Sequence, residues 1–190
     1  MKKVLVVMGS PRRKGNSATL AENVITGAKS AGATVDSYYL HGMDIKPCDA
    51  CGTCRENSSK ECIIDDDMQE LYLKLRETDA LVIASPIYYF TVSAQTKLFI
   101  DRWYALGKGK ASALNRKQIG IILTYEDSDP FTSGAVNALR TFQDAFDYLG
   151  ASIVAMVYGR ASEAGEIKAN RDLMDKAYKL GQELAAEKQM

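Results

Sequence analysis

The sequence predicts an α/β protein whose core is a doubly wound, three-layer sheet of five parallel strands. Two observations support this fold class: strand-like apolar runs alternate with helical patterns five times along the chain, and one run, 80–84, is apolar at every position. Unbroken apolar runs are typical of parallel strands covered on both faces. Parallel neighbours require crossover connections, which are right-handed and usually helical. No repeat or linker interrupts this pattern, so we expect one domain over residues 1–190.

Each element follows from a local pattern. The predicted strands are 3–8, 34–40, 80–84, 119–124 and 152–158, with Ser85-Pro86 ending the third. The first helix begins near Ala18, because apolar residues recur there at helical spacing. A second helix follows the acidic residues 65–67, and others are predicted over 93–106, over 132–149 and from 166. Residues 41–64 show no periodicity and are predicted to form a cysteine-rich insertion loop.

Composition narrows the function classes. Lys plus Arg and Asp plus Glu both number 24, which argues against a nucleic-acid partner drawn by a basic surface. No apolar run approaches the roughly 18 residues of a membrane span, and the run 4–8 is shorter than a signal peptide requires. We therefore expect a cytoplasmic protein with no membrane partner, in which clustered cysteines bind metal or act in redox chemistry.

The loop after the first strand, residues 9–17, has the character of a phosphate site. Ligands of doubly wound sheets lie beyond the carboxyl ends of the strands, and this loop leads into a helix N-terminus with free N–H groups. Its small polar residues and Arg12 suit an anion. The loop matches neither G-x-G-x-x-G nor the P-loop, which disfavours a dinucleotide site or a nucleoside triphosphatase. The alternative is a polar turn that merely caps the helix.

The loop after the third strand carries three consecutive aromatic residues, Tyr88, Tyr89 and Phe90. Neighbouring side chains diverge, so all three are hard to bury together. Exposed aromatic rings beside an anion site suit a flat conjugated ligand. The alternative is that one or two of them pack against the sheet or a neighbouring subunit.

These two loops together resemble those of the flavodoxin-like NAD(P)H-dependent FMN reductases. The matching stretches are 9–17, 85–89, 92–97 and 101–102. The resemblance implies the strand order 2-1-3-4-5, a homodimer or homotetramer, and an FMN site. Ser10, Arg12, Asn16 and Ser17 would hold the phosphate. The implied FMN-binding residues are Ser10, Arg12, Gly15, Asn16, Ser17, Pro86, Ile87, Tyr88, Tyr89, Phe90, Thr124 and Tyr125, the last two on position alone.

The cysteines are the other candidate cofactor site. Cys48, Cys51 and Cys54 form a C-x2-C-x2-C motif, and Cys62 follows after seven residues; the chain contains no others. Four thiolates on one loop suit a [4Fe–4S] cluster. A zinc site, which usually uses two well-separated C-x2-C pairs, and a metal-free loop are the alternatives. Within the FMN reductase superfamily, the motif resembles that of the iron–sulfur flavoproteins. This resemblance implies that these four cysteines ligate a cluster.

Three functions follow from these sites. The leading hypothesis is an FMN-dependent oxidoreductase in which a [4Fe–4S] cluster relays electrons between the flavin and a donor such as ferredoxin. The second is a cluster-free NAD(P)H-dependent reductase of FMN, quinones or azo compounds. The third is a zinc-stapled interaction module without redox chemistry. No side chain is assigned as catalytic, because the cofactors would carry the redox chemistry.

Overall fold

A computed structural model describes residues 1–56 and 62–186. Residues 57–61 of the predicted insertion loop and residues 187–190 of the predicted domain lie outside the described residues. The strands are β1 (Lys3–Met8), β2 (Thr34–Tyr39), β3 (Ala80–Tyr88), β4 (Thr91–Val92), β5 (Gln118–Tyr125) and β6 (Ser152–Arg160). The helices are α1 (Asn16–Ser30), α2 (Thr53–Glu56), α3 (Met68–Glu77), α4 (Ala94–Asp101), α5 (Ala135–Leu149) and α6 (Arg171–Ala185).

The sheet has the predicted parallel core and one additional strand. Its parallel strands run in the order β2-β1-β3-β5-β6, and β4 pairs antiparallel with β3. The predicted flavodoxin-like α/β fold is confirmed, but the predicted count of five strands is corrected to six within the described residues. β4 was not predicted, because a two-residue strand is too short to show a periodic pattern in the sequence.

The third strand does not end at Ser85-Pro86 as predicted. β3 continues to Tyr88, since its parallel register with β5 persists through Ser85 opposite Leu123 and Pro86 opposite Thr124. The missing N–H of a single proline is therefore tolerated here. Because of this extension, the aromatic residues lie beyond the carboxyl ends of the neighbouring strands, at the β3–β4 turn.

Helices cover both faces of the sheet, which gives the three layers. On one face α1 and α6 pack against alternate residues of the strands, and on the other face α3, α4 and α5 do so. Helices α1 and α6 touch backbone to backbone: a Cβ on Gly27 would overlap the carbonyl of Tyr178, and one on Gly181 would overlap that of Val24. This contact holds the segment before α6 beside the N-terminal end of α1.

Two predicted helices differ in detail, and one short helix was not predicted. The helix expected over 93–106 is α4 followed by a 3-10 helix, Arg102–Leu106, and the last helix is preceded by a separate 3-10 turn, Glu166–Ala169. The insertion loop contains the single turn α2, which the sequence did not predict. Across residues 1–56 and 62–186, no helix combines the length and apolar character needed to cross a membrane.

Candidate functional site

A cavity of about 170 Å³ opens at the carboxyl ends of the parallel strands, where ligands of this fold class bind. The structure brings most of the predicted FMN residues to its wall: Ser10, Arg12, Gly15, Asn16, Ser17, Pro86, Ile87, Tyr88, Thr124 and Tyr125. Tyr89 and Phe90 are not among the lining residues. Glu126 also lines the cavity, and so do three residues that the sequence did not predict, Ala161, Ser162 and Ala164. The position of the last three after the β6 strand was the signal that could have identified them.

The β1–α1 loop presents unsatisfied donors to this cavity. Gly15 is the N-cap of α1 and has extended backbone angles, and no side chain accepts a hydrogen bond at this helix end. Ser17 lies in the first turn, and its Oγ is buried without a hydrogen-bond partner among the described residues. A buried hydroxyl without a hydrogen bond costs free energy unless a ligand supplies the missing partner. Together with the N-terminal end of α1, this donor set suits a phosphate group.

Asn16 is at the cavity wall, but its side chain is already occupied. Its Nδ2 donates to the carbonyls of Ala161 (3.2 Å) and Glu163 (2.9 Å). Its Oδ1 accepts from the backbone N–H groups of Gly165 (2.9 Å) and Ile167 (3.3 Å). The amide therefore fixes the segment after β6 against the start of α1, instead of presenting a free donor to a ligand.

Buried hydrogen bonds hold the β1–α1 loop and the end of β3 together. The N–H of Gly9 donates to the carbonyl of Ala84 (2.8 Å), and Ser93 Oγ donates to the carbonyl of Gly9 (2.8 Å). The N–H of Ser93 donates in turn to Ser85 Oγ (3.0 Å). The two halves of the candidate FMN site are thus rigidly connected, and Ser93 is a supporting residue that the sequence analysis did not identify.

The β3–β4 turn displays the aromatic residues. Tyr88 pairs with Thr91, and the two residues between them, Tyr89 and Phe90, both have positive φ (49° and 69°), as in a type I′ turn. Residues with a Cβ rarely adopt this conformation. Tyr89 is 96% exposed, and its ring makes an edge-on contact with that of Phe90 at 5.8 Å. The Asn137 side chain donates to the carbonyl of Phe90 at 3.1 Å and braces the turn.

The far wall of the cavity is formed by the ends of β5 and β6. Thr124 and Tyr125 are buried there, and burial raises the pKa of the Tyr125 phenol. Glu126 follows at the surface, where its carboxylate accepts a hydrogen bond from Ser162 Oγ (3.1 Å). Arg160 Nε donates to the carbonyl of Glu126 (2.9 Å). These contacts join the β5 and β6 ends into one wall.

The four cysteines line a second cavity, of about 310 Å³. Cys48 and Cys51 are exposed, whereas Cys54 and Cys62 are partly buried. Burial, and then the electrostatic effect of the neighbouring Cys62, raise the pKa of the Cys54 thiol. Within residues 1–56 and 62–186, no three His, Cys, Asp or Glu side chains meet closely enough to hold one metal ion. The cysteines surround a common space without converging on one point.

A buried arginine, Arg102, contacts both ends of the cysteine-rich insertion loop. Arg102 is 1% exposed and forms a fully buried ion pair with Asp66. Its Nη1 also donates to the carbonyl of Lys46 (2.8 Å), and its Nη2 donates to Cys62 Sγ (3.4 Å). Burial alone would lower the pKa of Arg102, but the hydrogen bond with Asp66 raises it above the usual arginine value. One guanidinium therefore ties together the residues on both sides of the cysteine loop.

Two further contacts complete the surroundings of this cavity. Gln69 Nε2 donates to the backbone carbonyls of Cys62 (2.8 Å) and Ile64 (2.7 Å). On another side, the Arg55 guanidinium lies over the ring of Tyr104 at 4.1 Å. The sequence analysis identified the cysteines but not these supporting residues, because their contacts join segments far apart in the chain.

Comparison with known proteins places this arrangement in context. Residues 2–166 match the profile of the NADPH-dependent FMN reductase family. An iron–sulfur flavoprotein from Archaeoglobus fulgidus is 37% identical over 65% of this chain and 54% of its own length. One from Methanosarcina thermophila is 36% identical over 66% of this chain and 64% of its own length. The predicted resemblance to iron–sulfur flavoproteins is confirmed, although the chain spans only part of each relative.

Solved structures show the same fold. An NAD(P)H:quinone oxidoreductase from Methanothermobacter marburgensis superposes with a TM-score of 0.75 and covers 99% of both chains, at 19% identity. At this identity the likeness concerns the architecture alone. It supports the doubly wound sheet independently of the family match.

Proposed function

Because this chain belongs to the NADPH-dependent FMN reductase family, we propose that it is an FMN-dependent oxidoreductase that uses a [4Fe–4S] cluster to exchange electrons with a protein donor. The observation that carries the proposal is the first cavity, where a loop with unpaired anion-binding donors meets aromatic residues at the carboxyl ends of the strands. FMN supplies one- and two-electron transfer when bound, and the protein supplies position and electrostatics.

The residues present fit FMN. Ser17 Oγ, together with the N-terminal N–H groups of α1, would bind the phosphate, with Ser10 and Arg12 beside them. Pro86, Ile87 and Tyr88 would line the ring. The cavity is smaller than the roughly 300–1,000 Å³ of typical ligand pockets. Part of the cofactor would therefore lie outside it, beside the exposed residues of the β3–β4 turn.

The residues around the second cavity fit a cluster better than a single ion. Zinc needs four ligands at about 2.3 Å from one point, and no such group exists among the described residues. In a [4Fe–4S] cluster each thiolate binds a different iron, so the four sulfurs surround an inorganic core. The position of Cys48, Cys51, Cys54 and Cys62 around one cavity supports this assignment. The names of the two curated relatives support the same assignment.

The wider setting is also part of the proposal. We expect ferredoxin, or NAD(P)H, as the electron donor, a homodimer or homotetramer, and a cytoplasmic location. The balanced charge and the lack of a long apolar run in the sequence support a protein that works without nucleic acid or membrane. The exposed Tyr89 side chain supports an assembly in which another surface covers the flavin site.

Anaerobic purification followed by analysis of FMN, iron and acid-labile sulfide tests the proposal. We expect one FMN per chain and four irons with matching sulfide, and broad visible absorbance that Cys54→Ser abolishes while FMN stays bound. FMN without iron, combined with rapid NAD(P)H oxidation, would instead establish a cluster-free reductase. Stoichiometric zinc with no FMN after reconstitution would establish an interaction module.

A further inference from the structure

Arg102 has more hydrogen-bond partners than its ion pair with Asp66 requires. The two Nη atoms reach the two carboxylate oxygens of Asp66, which already neutralise the buried charge. Two additional contacts lead to the cysteine segment, one to the Lys46 carbonyl and one to Cys62 Sγ. Burying a guanidinium costs free energy, and an apolar side chain of similar volume would fill the core without that cost. The additional contacts therefore suggest a role toward the cysteines.

Cys62 is the cysteine whose position most needs such support. The other three follow one another at intervals of three residues, so local backbone geometry keeps them near each other. Cys62 is separated from them by seven residues, and its place depends on contacts from elsewhere in the fold. Gln69 holds the backbone carbonyl of Cys62, and Arg102 supplies the contact to its sulfur. Arg102 also binds the Lys46 carbonyl before Cys48 and the Asp66 carboxylate after the loop.

The contact also has an electrostatic consequence. The reduction potential of an iron–sulfur cluster depends on net charge, on hydrogen bonds to the sulfurs and on solvent exposure. A cation that donates to a ligating sulfur stabilises the reduced cluster, which carries one more negative charge than the oxidised one. The Arg102 side chain has no solvent exposure, so its field is weakly screened.

We propose that Arg102 is a positioning residue that places Cys62 for ligation and raises the reduction potential of the cluster through the Nη2···Sγ hydrogen bond. This proposal rests on the proposed function. Arg102 would hold Cys62 and the charge beside it, while a bound cluster would supply the one-electron exchange; Arg102 itself gains and loses nothing. Asp66 has the opposite effect on the reduction potential, because its carboxylate offsets part of the Arg102 positive charge that acts on the Cys62 sulfur.

Substitutions at the two members of the ion pair should shift the potential in opposite directions. In anaerobically purified holoprotein, Arg102→Gln should lower the midpoint potential of the cluster, measured by a redox titration followed by electron paramagnetic resonance. Asp66→Asn keeps the guanidinium and removes its counter-charge, so it should raise the potential. We expect each shift to change the ratio of reduced to oxidised cluster at least tenfold, or about 59 mV for one electron. Arg102→Lys keeps the charge and should shift the potential less than Arg102→Gln.

Two controls separate this role from a general structural one. The midpoint potential of the flavin, measured in the same samples, should stay unchanged. Arg140→Gln removes an arginine from an exposed ion pair with Asp144 and should leave the cluster potential unchanged. If Arg102→Gln fails to accumulate as folded protein, the sign of the Asp66→Asn shift still decides the question.

The outcomes distinguish this proposal from the function on which it rests. Fully loaded Arg102→Gln and Asp66→Asn proteins with wild-type cluster potentials would overturn the role of Arg102 and leave the proposed function intact. Shifts of the same sign in both variants would also overturn it. Wild-type protein that contains FMN but no iron or sulfide would refute the cluster itself, and the proposed role of Arg102 with it.

Discussion

Two neighbouring residues of the β1–α1 loop have opposite hydrogen-bonding states. The amide of Asn16 is fully paired within the protein, whereas the buried hydroxyl of Ser17 has no partner in the part of the chain that the structure describes. The sequence predicted both as phosphate ligands, because both are small polar residues near a helix N-terminus. The partners of Asn16 lie about 150 residues further along the chain, and no local pattern reveals such a contact.

Replacement of Ser17 by alanine should weaken FMN binding without harming the apoprotein. A hydrogen bond to a charged group contributes about 1.5–3 kcal/mol, so we expect the Kd for FMN to rise roughly tenfold to a hundredfold. Because the hydroxyl is unpaired in the protein, the free energy of unfolding of the apoprotein should stay equal or rise. Fluorescence titration of FMN and urea denaturation measure the two quantities. A less stable apoprotein would show that the hydroxyl has a structural partner.

Replacement of Asn16 by alanine should have the reverse profile. It removes four hydrogen bonds to the segment after β6 and leaves the N–H groups of Gly165 and Ile167 without their acceptor. We expect the apoprotein to lose about 1–3 kcal/mol of unfolding free energy. Urea denaturation followed by circular dichroism measures the loss. Unchanged stability together with greatly weakened FMN binding would mean that Asn16 acts directly on the phosphate.

At the scale of elements, the β3–β4 turn departs from what the local sequence predicts. The sequence predicted the end of β3 at Ser85-Pro86, but the strand continues because β5 pairs with it. A two-residue type I′ turn favours Asn-Gly, yet this turn contains Tyr89 and Phe90 at positive φ. Strained turns of this kind concentrate at ligand sites. The exposed aromatic side chains are thus kept at an energetic cost.

The double substitution Tyr89→Asn and Phe90→Gly should stabilise the fold and impair the site. An L-residue in the left-handed region costs about 1–2 kcal/mol, so we expect a higher thermal unfolding midpoint for the apoprotein. Binding of FMN, or turnover with an artificial acceptor, should decline because the aromatic surface is lost. Differential scanning calorimetry and steady-state kinetics provide the two measurements. A lower unfolding midpoint would contradict the proposed strain.

On the scale of the whole molecule, the regular features were predictable and the long-range polar contacts were not. The parallel core, the crossover helices and the place of the ligand cavity follow from hydrophobic patterns and from general rules of α/β topology. The Arg102–Asp66 pair gave no such signal, since the two residues are far apart in sequence and each type is common at surfaces.

This ion pair should control the acid stability of the apoprotein. Burial alone would raise the pKa of Asp66, but the hydrogen bond from Arg102 lowers it below the usual value. Its contribution is therefore present above the unfolded-state pKa of about 3.9 and is lost as pH falls through the lower folded-state pKa. Asp66→Asn should cost about 3–5 kcal/mol at neutral pH, because Arg102 stays buried without a counter-charge.

Urea denaturation of iron-free protein at pH 6 and at pH 3 measures this effect. Wild type should lose more stability than Asp66→Asn between the two pH values, so that the gap between the proteins narrows in acid. Asp144→Asn, which alters an exposed pair with Arg140, is the matched control and should follow the wild-type curve. A constant gap between wild type and Asp66→Asn would contradict the assignment.

The position of Arg102 in the chain has a consequence for biosynthesis. The ribosome makes Cys62 forty residues before Arg102, which contacts it in the folded protein and directly follows α4 in the chain. A nascent chain that ends before Arg102 would carry all four cysteines without the anchor that closes their loop. Under the proposed function, we therefore expect iron and sulfide to be inserted late, after α4 has packed against the sheet. Ribosome-stalled chains truncated on either side of Arg102 would reveal this order.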